Sequence, residues 1–417
     1  MILSDYKFDF LEPKNNNWKK FRIKDFFKLH KETTIDFKNY PILSLGKRGI
    51  YTRDISNNEG QIASSYEKYN LVSSKNIVLN PMDLITGWAD IPREFGLISP
   101  AYISLELINK KDNLNFFKYY LQSLYFEKIF FNFAEGVHYD FRWVLSKDTL
   151  FDFPIYVPDI VYQNKIVKYL DEKNRYINLL IEKNYMKIEK LKEYKISKIT
   201  ELVSFGLNNE TEKNTNLDWM PNVSKSWKLI IPKNIFDPVT RPIEKDDDVI
   251  TCFRDGVVTL RKNRRTKGFT NSILEHGYQQ ILPNDLVVHE MDGFEGAIGI
   301  SDSKGKSSPI YTVIPPTNNQ DLNFWKYLLV VMSKTGKIKS LSKSIRERTT
   351  EFRWKIWGSM KFYVPDYSEQ KKIALKINEE VSYVDNLISK LSIYIQELKN
   401  LKNSTISNSA RGYEING

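Results

Sequence analysis

Along two stretches of the chain, about 160–205 and 367–405, apolar residues recur at alternating steps of four and three, and proline and glycine vanish. In the first stretch one row reads Leu170, Ile177, Asn184, Leu191; the other reads Val167, Ile181, Ile188, Leu202, with Asn174 and Lys195 filling in. In the second stretch the rows are Ile377, Val384, Leu391, Leu398 and Ala374, Val381, Ile388, Ile395. This spacing predicts two helices, each with a heptad seam that must be buried against a partner. A forty-residue helix is roughly 60 Å long at 1.5 Å per residue. Each helix could lie on its own domain, or the two could pair with each other. The matched phases favour pairing through Leu170, Ile177, Ile181, Asn184, Ile188 and Leu191 on one helix. Ile377, Val381, Val384, Ile388, Leu391, Ile395 and Leu398 would face them on the other. Asn184 would then be a polar residue in the seam, which can fix register at some cost in stability.

The two seams belong to a larger repeat. YVPDIVYQNKIVKYL (156–170) and YVPDYSEQKKIALKI (363–377) share seven of fifteen positions at an offset of 207. Trp18 and Trp227 open similar phrases, NIVLNPMD (76–83) aligns with DLVVHEMD (285–292), and Ser99-Pro100-Ala101-Tyr102 aligns with Ser308-Pro309-Ile310-Tyr311. The FRW triplets at 141–143 and 352–354 follow at nearly the same offset. The chain is one unit written twice. The predicted order is a globular domain (1–158), a helical spacer (159–207), an Asn/Ser/Thr-rich linker (208–226), a second globular domain (227–365) and a second helical spacer with a tail (366–417). Within each globular part, short strand-like runs such as NIVLN and DLVVHEM alternate with turns, and each holds a helical run, NFFKYYLQSLYF or NFWKYLLVVM. The fold class is α+β: two tandem mixed domains with mostly antiparallel sheets, separated by two long helices.

Charge adds a partner. The net charge is +11 and the pI about 9.2, which favours a polyanion such as nucleic acid. The one cysteine, Cys252, rules out an internal disulfide and fits a reducing cytoplasm. No apolar run reaches signal-peptide or membrane-span length, so no membrane partner is expected.

Signatures of catalysis are missing. There is no phosphate loop, no GxGxxG and no HExxH, and His30, His138, His276 and His289 are scattered. The one dense acidic run, Asp246-Asp247-Asp248, reads as solvated rather than as a nuclease metal site. Neither a catalytic residue nor a metal ligand is predicted. The globular parts offer basic residues instead: Lys47, Arg48 and Arg53 in the first copy, and Arg254, Arg261, Lys262, Arg264, Arg265, Lys267, Arg346 and Arg348 in the second. Arginine grips phosphate and reads guanine with two hydrogen bonds, so these are the candidate DNA contacts. Arg142 and Arg353, set between aromatics, read as framework.

Two globular halves, each followed by a long helix opening on YVPD-x-x-x-Q-x-K-I, resemble the specificity (S) subunit of Type I restriction–modification systems. The resemblance implies that each half is a target-recognition domain for one half of a bipartite double-stranded DNA site. It implies that the helices form an antiparallel intramolecular coiled coil that sets the gap. It further implies two methylation (M) subunits docked on this scaffold, and restriction (R) subunits in some complexes. By the same resemblance this chain is non-catalytic and binds no cofactor. S-adenosylmethionine, ATP and Mg would sit on the partner subunits, and the assembled complex would methylate adenine and cut DNA with ATP hydrolysis. The alternative is a non-catalytic coiled-coil interaction scaffold whose basic loops are incidental.

Overall fold

The computed structural model describes residues 11–14, 17–46, 49–54, 65–85, 87–134, 144–207, 212–264, 276–341 and 352–413. Four helices organise it: α1 (Leu114–Phe126), α2 (Ile160–Phe205), α3 (Leu322–Lys334) and α4 (Tyr367–Ala410). The chain divides into two compact units, Met1–Asn184 with Ser392–Gly417, and Tyr185–Leu391. The divisions fall inside α2 and α4, so each unit takes one part of each long helix.

In the first unit a four-stranded sheet runs in the order Phe27–Leu29, Ile103–Leu107, Asn76–Leu79, Ala89–Asp90. Beside it stand the hairpin Leu43–Gly46/Gly49–Thr52 and the pairs Asn70–Val72/Gly96–Ile98 and Lys19–Arg22/Pro154–Val157. All these ladders are antiparallel. Helix α1 is capped by Asn113, whose side chain accepts from the Asn115 and Phe116 amides, and it buries Phe116, Phe117, Tyr120 and Leu124. The core then continues onto the long helices. Ile166, Val167 and Leu170 of α2 and Ile406 and Ala410 of α4 share one apolar cluster with Trp18, Phe116 and Phe153. Further along, Lys402 of α4 donates to Asn178 Oδ1 of α2 at 3.0 Å. Moving from Leu170 to Asn178 therefore means moving backwards along α4, which makes the pairing antiparallel.

The second unit repeats the plan. Its sheet runs Ile298–Ile300, Leu286–His289, Tyr311–Ile314, with the hairpin Ile250–Cys252/Val258–Leu260 and the pairs Gln279–Ile281/Gly305–Ser307 and Lys228–Ile230/Phe362–Val364, again antiparallel. Ile199, Leu202 and Val203 of α2 and Ile373, Ala374 and Ile377 of α4 join the cluster around Trp227, Phe324 and Trp357. Lys195 of α2 pairs with Asp385 of α4 at 2.6 Å. Since Gly206, at the end of α2, lies against Glu369 and Ile373, the pairing here is antiparallel as well. Gly206 holds φ +72°, the left-handed conformation that ends a helix most cheaply on glycine.

Both geometries considered for the seams therefore coexist: the helix ends lie in a domain core, and the helices pair with each other. Leu170, Ile177, Asn184, Ile188, Ile377, Val384, Ile395 and Leu398 are buried, and Ile181, Leu191, Val381, Ile388 and Leu391 are half-buried. Asn184 donates to the Leu180 carbonyl of its own helix at 2.7 Å. The stretch 208–226 differs from a plain linker. It carries the hairpin Glu212–Asn214/Asn222–Ser224 and buries Trp219, Met220 and Val223 in the second core. Its polar composition masked four apolar residues (Leu217 with those three) that the core absorbs.

Candidate nucleic-acid interface

The basic residues of the second unit gather around the hairpin Ile250–Cys252/Val258–Leu260. Its tip turns at Gly256, where φ is +84°. Arg264 lies 4.6 Å above the Phe253 ring and grips Asp255 through two hydrogen bonds of 2.9 and 2.7 Å. That guanidinium holds the Asp255 carboxyl below its ordinary pKa. Arg254 reaches Asp292 at 3.2 Å, Lys262 pairs with Asp248, and Arg261 Nε donates to Thr251 Oγ1 at 3.1 Å.

Asp292 belongs to the turn after the strand Leu286–His289. His289 Nδ1 accepts from the Met291 and Asp292 amides at 3.2 and 3.1 Å. An acceptor nitrogen there requires the neutral ring, and burial lowers the pKa in agreement. Next to it Glu290 lies 3.8 Å from Arg353. This margin thus carries Arg264, Arg254 and Arg353, each facing a carboxylate. The side chains of all three arginines remain more than a third exposed. Exposed ion pairs are worth about 0–1 kcal/mol. A DNA phosphate, which releases counterions when neutralised, can therefore displace them.

The first unit presents a different surface at its hairpin Leu43–Gly46/Gly49–Thr52. Tyr51 is exposed, and Tyr51, Tyr69 and Arg53 each lie within electrostatic reach of the Tyr102 hydroxyl. Burial pushes the Tyr102 hydroxyl pKa up. Thr52 Oγ1 donates to Glu94 at 2.7 Å and the Ile50 amide to Asp90 at 3.0 Å. Among the described residues the surface is aromatic where its counterpart is ionic. At the turn equivalent to His289–Asp292, Asn80 Oδ1 accepts from the Met82 amide at 3.0 Å, so asparagine does there what neutral histidine does in the second unit.

Among the predicted contacts, the structure brings Arg254, Arg261, Lys262 and Arg264 together and sets Arg53 beside its own hairpin. Lys47, Arg48, Arg265, Lys267, Arg346, Arg348 and Arg142 lie outside the described residues. Sequence reasoning missed Tyr51, Phe253 and the acidic partners Asp255 and Asp292; an aromatic within three residues of a turn glycine, Gly49 or Gly256, was the available signal for the first two. Asp247 accepts from the Glu244 amide and Gln280, and Asp248 from Lys262. Among the described residues no group of His, Cys, Asp or Glu could hold a metal ion, and no helix is long and apolar enough to cross a membrane.

Residues 15–215 match the family model described as the Type I restriction modification DNA specificity domain. This part of the chain therefore has the sequence pattern of a Type I DNA specificity domain. The second half repeats the first, so the plan of that DNA specificity domain is written twice in the chain. A solved structure described as the "structural basis underlying complex assembly and conformational transition of the type I R-M system" shares its fold. The TM-score is 0.67 at 11% identity, over 96% of this chain and 99% of that one. The HsdS subunit from Thermoanaerobacter tengcongensis aligns at TM-score 0.49 and 11% identity, over 96% and 98% of the two chains. The S subunit from M. genitalium aligns at 0.37 and 16%, over 95% and 98%. No curated protein sequence matches this chain.

Proposed function

We propose that the two units read the two halves of a split DNA site, and that the long helices hold them apart and carry two methylation subunits. The supporting observation is the pairing of unlike hairpins with like mountings. Each unit sets its domain on the helices through equivalent residues, while among the described residues the hairpin surfaces differ, one aromatic around Tyr51 and Arg53, the other ionic around Arg254 and Arg264. Phosphate contacts by arginine give affinity, and base-edge contacts give sequence. Two unlike readers multiply selectivity, because the second binds at high effective concentration.

Exposed apolar residues on the helices repeat at equivalent positions: Tyr176 with Tyr383, Met186 with Ile393, and Tyr194 with Leu401. One such set per copy suits two identical partners. In this reading those partners hold S-adenosylmethionine, and restriction subunits, where present, hold ATP and Mg. The complex acts in the cytoplasm on double-stranded DNA.

Methylome sequencing of cells with and without the gene tests this. A bipartite motif should lose adenine methylation on deletion, and exchanging residues 227–362 for those of a relative should change one half of the motif only. An unaltered methylome, or a change in both halves, refutes it.

A further inference from the structure

The repeated phrase YVPD-x-x-x-Q has a structural reason. Asp159 and Asp366 cap the long helices, accepting from the Tyr162 and Glu369 amides at 2.9 Å each. The glutamines one turn later, Gln163 and Gln370, are buried. Gln163 Oε1 accepts from the Asn113 amide at 3.0 Å, at the cap of α1, while its Nε2 donates to the Pro158 carbonyl at 3.1 Å. Gln370 repeats this, accepting from the Asp321 amide at 2.9 Å, at the cap of α3, and donating to the Pro365 carbonyl at 3.0 Å. A carboxamide accepts from a backbone N–H through its oxygen and donates to a backbone carbonyl through its nitrogen without changing protonation, which Glu, an acceptor only at neutral pH, does not do. A second tie follows eight residues on, about 12 Å down the helix. There Tyr119 donates to Asp171 Oδ1 and Tyr327 to Asn378 Oδ1, each at 2.5 Å.

The apolar core that each domain shares with its long helix is non-directional; the two polar ties add the directional contacts that fix the domain's angle on the helix. Inserting one base pair between half-sites moves one of them by about 3.4 Å and turns it by about 35°. A pivoting domain can follow that turn, whereas a doubly tied one cannot.

We propose that Gln163 and Gln370, with Tyr119 and Tyr327, are positioning residues that make the protein selective for the number of base pairs between its half-sites. The proposal rests on the split-site reading above and assigns the selectivity to the elbow as well as to helix length. The variants Gln163→Met/Gln370→Met keep side-chain volume and remove the upper tie. Tyr119→Phe/Tyr327→Phe keep the rings and remove the lower one. Binding of the full chain, in complex with its methylation subunits, is measured on duplexes carrying the motif found by methylome sequencing, with gaps of native length and one base pair more or less. Wild type should lose about 100-fold in affinity at the altered gaps, the low end of what a second linked site contributes. Either variant should bind the native gap nearly as wild type does, yet lose less than about tenfold at the altered gaps. A loss of affinity equal at all gaps would mean a structural role only, and an unchanged gap penalty in a folded variant would mean the elbow is not the selector; both overturn the proposal. Wild type that binds no split duplex at any gap overturns the split-site reading itself, and with it this inference.

Discussion

Truncating Leu170 to alanine tests whether the long helix is part of the domain or merely attached to it. Leu170 is fully buried and shares its cluster with Trp18, Phe116, Ile406 and Ala410. Ile377, its equivalent at an offset of 207, is fully buried against Trp227, Phe324, Leu202 and Val203. Removing three buried carbons from such a site costs about 2–5 kcal/mol, because the transfer term and the cavity term add. Each unit has about 200 residues. At that size 1 kcal/mol shifts Tm by about 2–4 °C, so a 3 kcal/mol loss gives about 6–12 °C. Differential scanning calorimetry should show Leu170→Ala lowering the transition of the first unit and Ile377→Ala that of the second. Leu375→Ala, on the same helix but 64% exposed, is the control and should stay within about 0.5 kcal/mol. A shift below about 2 °C for both buried variants would refute the argument that helix and domain share one core.

Burial depresses the pKa of Lys326 to about 8. Between about 8 and the ordinary value near 10.5 the unfolded chain binds the proton and the folded chain does not, so stability should rise with pH across that window. Below pH 8 the full penalty stands, so Lys326→Met should raise Tm at pH 7 and flatten the alkaline rise, as a pH series of thermal melts would show. Cys252 is buried and its thiol pKa is pushed up, so it should resist alkylation in the native protein and react on unfolding, read by mass spectrometry. Replacing Arg254 and Arg264 by alanine should lower the slope of log affinity against log salt by about 0.9 for each lost phosphate contact. An unchanged slope removes that margin from the DNA interface.

The heptad rows were legible because a 3.5-residue repeat is a local pattern, and every one of the thirteen seam residues lies on a buried or half-buried face. The tandem plan was legible because repeated phrases need no structure to be seen. What Gln163 and Gln370 do was not legible. Their partners, Asn113 and Asp321, lie about 50 residues away, and hydrogen bonds to backbone amides leave no mark on the partner's side chain. The ionic margin was half legible. Arg254 and Arg264 stood out as basic, but Asp292, which answers Arg254, comes from a different strand's turn 38 residues on. The burial of Trp219 and Met220 was hidden by their polar neighbours, since composition averages over a stretch whereas packing selects single side chains.

The first unit is assembled from Met1–Asn184 and Ser392–Gly417. Ile406 and Ala410, which complete its core, are therefore the last parts of that core to leave the ribosome. At 5–20 residues per second the earlier segment waits roughly 10–40 s for them. During that interval the apolar stripe of α2 has no native cover, and a second nascent copy or a chaperone can occupy it. Codon tempo across the intervening 200 residues should therefore affect the yield of active protein more than it affects the yield of polypeptide.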